Sequence, residues 1–135
     1  MKKVLKRLKK LFQSREIEVG LPKKLTQIID DYELPAILTT YDAVNPLVLH
    51  GNKKHCKLTG YQNKEIIGKS PKTFQGKLTA DGVKRDIRES LSKSSFWHGD
   101  VINYKKDGTS QKINLIIFGI CFDGNKYYVA LKKVH

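Results

Sequence analysis

Asn52-Lys-Lys-His-Cys-Lys-Leu-Thr-Gly-Tyr61, followed by Glu65-Ile-Ile-Gly68-Lys69 and Phe74-Gln75-Gly76, is the stretch from which the fold is read. Gly60, Gly68 and Pro71 cut residues 52–75 into three short helical pieces. Glycine ends a helix at little cost in a left-handed conformation, and proline cannot continue one. Downstream, Val83, Ile87 and Leu91 recur at i, i+4 and i+8, which predicts a longer helix over residues 79–93. Trp97–Tyr104, Lys112–Cys121 and Tyr127–Val134 then read as strands, joined by Lys106-Asp107-Gly108 and Asp123-Gly124-Asn125 hairpin chemistry. Upstream, Ala36–Thr40 and Leu47–His50 read as two short strands around an Asn45-Pro46 turn. Before them Leu25, Ile28, Ile29 and Tyr32 give a short helix an apolar face, opened by Gly20-Leu21-Pro22 and stopped by Leu34-Pro35. The order is two strands, a helical middle and a three-stranded meander. An α+β fold, one sheet with helices packed on one face, satisfies it.

The chain of 135 residues has room for one domain and an extension, and 39% hydrophobic content supports a real core. No apolar run approaches the roughly 20 residues needed to cross a bilayer, and nothing at the N-terminus reads as a signal for export. Cys56 and Cys121 are far apart and read as reduced core residues of a cytoplasmic protein. His50, His55, His98 and His135 show no ligand spacing, so no metal is expected.

The net charge of +13 is unevenly placed: residues 1–24 hold nine Lys and Arg against two Glu, contributing +7. Within them, residues 2–12 (KKVLKRLKKLF) separate by face at helical spacing. Val4, Leu5, Leu8, Leu11 and Phe12 fall within an arc of about 120°, with all six Lys and Arg opposite. Such a helix suits an anionic membrane surface, or a partner helix or the chain's own domain against its apolar stripe. Nucleic acid is a poor fit, because no base-reading motif accompanies the charge. The chain divides into residues 1–24, a basic amphipathic helix and linker, and a domain over 25–135.

The order of elements and the words within it resemble a PAS domain. Asn52–Tyr61 is similar to the family's Asn-x-x-Phe-x-x-Leu-Thr-Gly-Tyr helix, with His55 in the aromatic's place. Phe74-Gln75-Gly76-x-x-Thr79, Arg85-x-x-Arg88 and Ile102-Asn103-Tyr104-x-Lys-x-Gly108 are similar to the flavin-binding LOV (light-oxygen-voltage) branch, and the resemblance covers about residues 25–134. It implies a PAS fold: a five-stranded antiparallel sheet with short helices on one face, preceded here by the N-terminal amphipathic helix. It also implies a site for FMN between sheet and helices. Lys72 and Arg88 stand where two arginines grip the flavin phosphate, and Gln75 where a side-chain amide meets the ring system. Asn103 stands where an asparagine reads the pyrimidine edge, a task that suits an amide because it donates and accepts at once. Asn114 would be the second such asparagine. The stretch from Asn103 is one residue longer than the usual pattern, so Asn114 faces the pocket only with a bulge or longer turn; without one, Ile113 faces inward. Phe74, Leu91, Val101 and Leu115 would supply apolar walls.

Three positions depart from a working photoreceptor. Gly68-Lys-Ser-Pro71-Lys-Thr stands where LOV domains read Gly-x-Asn-Cys-Arg-Phe, so Pro71 replaces the reactive cysteine and no flavin–cysteinyl adduct can form there. Thr73 replaces the phenylalanine. Lys132 stands where the final strand carries the glutamine that senses flavin N5; an ammonium can donate there but cannot flip as an amide does. Trp97, beginning a strand, reads as a packing residue.

The expected function is a single-domain sensory or signalling module that binds a flavin noncovalently. The alternative is a cofactor-free PAS module for dimerisation or protein–protein interaction, recruited to a membrane by its basic helix. Either way the expected partners are a second copy or a separate effector protein. The expected location is the cytoplasm, peripheral to the inner membrane face where the helix binds lipid. An enzyme is not expected, since the chain shows no nucleophile–base constellation, HExxH motif or Walker-type phosphate loop.

Overall fold

The computed structural model describes residues 20–135; the amphipathic stretch 2–12 lies outside the described residues. Helix α1 (Lys23–Asp31) leads into strands β1 (Ala36–Thr40) and β2 (Val48–Gly51). Helices α2 (Lys53–Thr59) and α3 (Asn63–Ile66), a 3-10 turn (Pro71–Phe74) and helix α4 (Asp81–Ser94) follow. Strands β3 (Phe96–Tyr104), β4 (Ser110–Phe122) and β5 (Asn125–Val134) complete the chain. The sheet order is β2-β1-β5-β4-β3, antiparallel throughout. The last strand therefore lies at the centre, between β1 and β4, which brings Lys132 to the middle of the molecule.

Alternation along the strands sorts the core into two layers. On the inner face Ile37, Val101, Ile113, Leu115, Tyr128 and Ala130 pack with Ile66, Phe74, Leu91 and Trp97, so α2, α3, the 3-10 turn and α4 cover that face as expected. On the outer face Ala36, Leu38, Leu49, Val129 and Leu131 pack with Leu21, Leu25 and Ile29. Helix α1 therefore rests on the opposite side of the sheet. Its expected four-residue apolar face divides: Leu25 and Ile29 are buried, while Ile28 is 56% and Tyr32 39% exposed. The helix ends at Asp31 and Tyr32 is extended, so Tyr32 leaves the helical stripe.

Asn52 explains why the 52–61 stretch is decisive. Its side chain is 1% exposed and makes four hydrogen bonds. The carbonyl oxygen accepts from the backbone of Ala36 at 3.0 Å and of His55 at 2.9 Å. The amide donates to the carbonyls of Ile29 at 3.0 Å and Leu34 at 2.9 Å. One residue caps α2, fixes the start of β1 and holds the end of α1. Gly60, at φ +80°, closes α2 in the left-handed conformation that other residues resist.

Candidate functional site

Between the inner sheet face and the helical layer lies a cavity of about 500 Å³, within the range of small-molecule and cofactor pockets. Its floor is the sheet: Ile37 and Thr39 of β1, Tyr128, Ala130 and Lys132 of β5, Leu115 and Ile117 of β4, Val101 and Asn103 of β3. The 3-10 turn contributes Lys72 and Phe74, and α4 contributes Lys84, Ile87, Arg88 and Leu91. Four lining residues are cations (Lys72, Lys84, Arg88, Lys132) and none is a carboxylate.

The turn over the cavity is held by the Phe74–Thr79 stretch. Thr79 Oγ1 accepts from the Gly76 backbone at 3.0 Å and donates to the Ile102 carbonyl at 2.6 Å, tying the turn to β3. The Leu78 backbone donates to the Tyr104 hydroxyl at 2.8 Å. Gly76 lies flat on that ring: a Cβ there would come within 2.4 Å of Tyr104 Cε1.

Lys72, Phe74, Gln75, Arg88, Leu91, Asn103 and Lys132 all line the cavity, as do the expected walls Val101 and Leu115. Lys72 and Arg88 are exposed, and neither forms an ion pair among the described residues. Asn103 is 7% exposed and its side chain makes no hydrogen bond within the described residues. Asn114 does not join them. Strands β3 and β4 pair without interruption, Asp100 opposite Asn114, Val101 opposite Ile113 and Asn103 opposite Gln111. No bulge intervenes and the pairing runs without offset from Tyr104 opposite Ser110, so Ile113 points inward, fully buried, and Asn114 outward. There Asn114 Oδ1 accepts from His98 Nε2 at 3.0 Å, and its amide nitrogen donates to Asp100 at 3.2 Å.

Lys132 is the most unusual residue of the site. It is 3% exposed, its side-chain nitrogen has no hydrogen-bond partner among the described residues, and that nitrogen lies 3.9 Å from the centre of the Phe74 ring. Burial pushes its pKa down to about 7. The Phe74 ring favours the charged form by about 2 kcal/mol, whereas losing water costs a buried ion several, and desolvation is what lowers the pKa. Across Phe74 sits His55, fully buried, its ring edge-on to Phe74 at 5.1 Å and both nitrogens without partners among the described residues. Burial, and then the charge of Lys132, hold His55 well below its usual pKa. A neutral imidazole here does the packing of the aromatic expected at this position.

Several lining residues escaped the sequence reading. Lys84 lies one turn before Arg88, and i, i+4 spacing placed it on the same face. Tyr128 and Ala130 share the face of Lys132 by the period of two. Ala43, Val44 and Pro46, on the loop between β1 and β2, carried no periodic signal. Trp97 packs in the inner core, as expected, and its indole donates to Asp86 of α4 at 2.8 Å. Neither Cys56 nor Cys121 lines the cavity; Cys121 is exposed, and burial raises the pKa of Cys56.

Known proteins share this fold. The PAS domain family matches residues 35–132. Phototropin-1A of Oryza sativa subsp. japonica is 36% identical over 100 residues, which span 72% of this chain and 11% of the phototropin. Blue-light-activated histidine kinase 1 of Erythrobacter litoralis is 25% identical over 101 residues, 75% of this chain and 28% of the kinase. The chain thus spans a minor part of these relatives. Among solved structures, a Rhodobacter sphaeroides LOV protein superposes with a TM-score of 0.75 at 17% identity, over 83% of this chain and 65% of that one. A light-oxygen-voltage domain studied with a flavin analogue superposes at 0.73 and 19% identity, over 83% and 84%. The chain belongs to the PAS domain family and is a LOV-like member of it.

Proposed function

We propose that the chain is a sensory module whose cavity binds FMN noncovalently and works without a flavin–cysteinyl bond. The observation that carries this reading is the set of cations and side-chain amides gathered around an apolar chamber. Lys72, Lys84 and Arg88 supply cations for a phosphate, Arg88 as a fork and the lysines as point charges. Gln75 and Asn103 present amides to a polar ring edge, and the buried Lys132 nitrogen lacks any partner. Phe74, Leu91, Val101 and Leu115 provide the walls. These residues fit a flat heteroaromatic ring with an anionic tail. A bound flavin would supply absorption of visible light and electron-transfer chemistry; the chain supplies binding, orientation and charge. With Pro71 at the cysteine's place and both cysteines outside the cavity, the bound flavin's visible band should survive illumination without bleaching to a thiol adduct. Protein purified from flavin-rich cells, or incubated with FMN and desalted, should carry that band. Colourless protein that cannot be loaded would overturn the reading.

A second reading, which can hold alongside the first, is association through the outer sheet face. Phe96 is 51% exposed there, opposite Phe118, and Ile116, Ile120 and Phe122 are partly buried beside it. An exposed aromatic beside partly buried apolar residues offers a contact point for a partner, and a second copy of the chain is the proposed occupant. None of the described helices is long and apolar enough to cross a membrane. Attachment to a membrane surface through residues 2–12 remains part of the proposal, tested by salt-sensitive sedimentation with anionic vesicles.

A further inference from the structure

We propose that Lys132 makes binding at the cavity floor proton-coupled: a ligand whose ring sets an oxygen or nitrogen acceptor beside this amine draws a proton onto it. The inference rests on the flavin reading and adds to it what Lys132 does for the ligand. Position is the first argument. Lys132 lies on the central strand of the sheet, lines the cavity, and has neither a hydrogen-bond partner nor a counter-ion among the described residues. A buried polar group without a partner is costly, and a ligand acceptor can supply that partner.

The second argument is the surroundings. From the helical layer, His55 of α2 lies beyond Phe74; Lys72, Lys84 and Arg88 line the same cavity; from β5 itself comes Tyr128. No carboxylate lines the chamber to hold the ammonium charged. Without ligand, the amine therefore gives up its proton near neutrality, its pKa pushed to about 7 by burial. With an acceptor bound, a charge-assisted hydrogen bond favours the protonated form and raises that value. Between the two pKa values each ligand must bring one proton with it. Affinity is then full below about pH 7 and falls by up to tenfold for each further pH unit, until the bound-state pKa is passed.

The other groups are silent in that window. His55 is held well below 6.5 and stays neutral, and Tyr128, raised to about 12 by burial and then by Tyr41, keeps its proton. The second ionisation of a phosphate, near 6, is complete before the window opens.

The test is FMN titration of the full chain between about pH 7 and 9, with calorimetry at about pH 8 in two buffers of different ionisation enthalpy. Wild type should lose FMN affinity as pH rises and take up close to one proton per FMN, whereas K132M should show a flat profile. Parallel pH profiles for wild type and K132M, or no proton uptake by wild type, would overturn this inference while leaving the flavin reading intact. Failure of both proteins to bind FMN at any pH would overturn the flavin reading and this inference with it. The calorimetric arm needs wild type alone, so misfolding of K132M would not shield the proposal.

Discussion

Lys132 shows how a single side chain can belong to the site and burden the fold at once. In the unfolded chain its amine titrates near 10.5, and in the folded, ligand-free protein near 7. Between those values the unfolded state holds more protons, so stability rises with pH from about 7 upward; below about 7 the full cost of burying the charge is present. The slope approaches 1.4 kcal/mol per pH unit for one such group. Lys132→Met keeps the length and removes the amine, so the variant should be more stable than wild type at pH 7, by a few kcal/mol. Its advantage should shrink toward pH 9. Urea midpoints at the two pH values check this, and a variant less stable at pH 7 with an unchanged slope would contradict it. The same variant should bind FMN less tightly at pH 7, which separates the role of Lys132 in the site from its cost to the fold.

At the scale of elements, the Asn52 network joins three pieces that short sequences could not hold by themselves. A seven-residue helix such as α2 is marginal alone, so its position depends on the cap and on packing. Asn52→Ala would leave the amides of Ala36 and His55 and the carbonyls of Ile29 and Leu34 without their side-chain partner. A loss of about 3 kcal/mol or more is expected, with faster hydrogen exchange at the Ala36 and His55 amides; a loss under about 1 kcal/mol would show that water replaces the side chain. This scale also explains what the sequence made legible. Words such as Asn52–Tyr61 and Phe74–Thr79 act locally, through caps, glycines and a threonine latch, so they reveal the elements and the wall they form. The face of Asn114 was not local. It depended on whether a bulge or a longer turn offset the one extra residue, and only the continuous pairing of β3 with β4 settles that. Likewise α1 could be read as amphipathic, but which side of the sheet would receive it depended on residues of β1, β2 and β5 that pair only in the folded chain.

For the whole molecule, the two sheet faces differ: the inner one encloses the cavity, and the outer one carries α1 and leaves Phe96 exposed. Three features argue how a second copy would meet that outer face. Strand β3 is an edge of the sheet and could in principle extend it. Yet Asp100, exposed in its middle and held by His135, Asn114 and Lys112, puts charge where edge-to-edge pairing would need an unhindered strand. Phe96, Phe118, Ile116, Ile120 and Phe122 instead make a surface suited to face-to-face contact. In a two-fold dimer one substitution acts at both copies of the patch. Phe96→Asp is at an exposed position, so the fold should survive, and buried carboxylates at the interface would be strongly unfavourable. Light scattering of the full chain at tens of micromolar should therefore give a dimer mass for wild type and a monomer mass for F96D, with FMN loading unchanged. A monomeric wild type would remove the outer face as a self-association surface, and a dimeric F96D would move the contact away from Phe96. Unchanged loading in a monomer would show that the inner face completes its site without the partner, as expected of a cavity whose lining comes wholly from one chain.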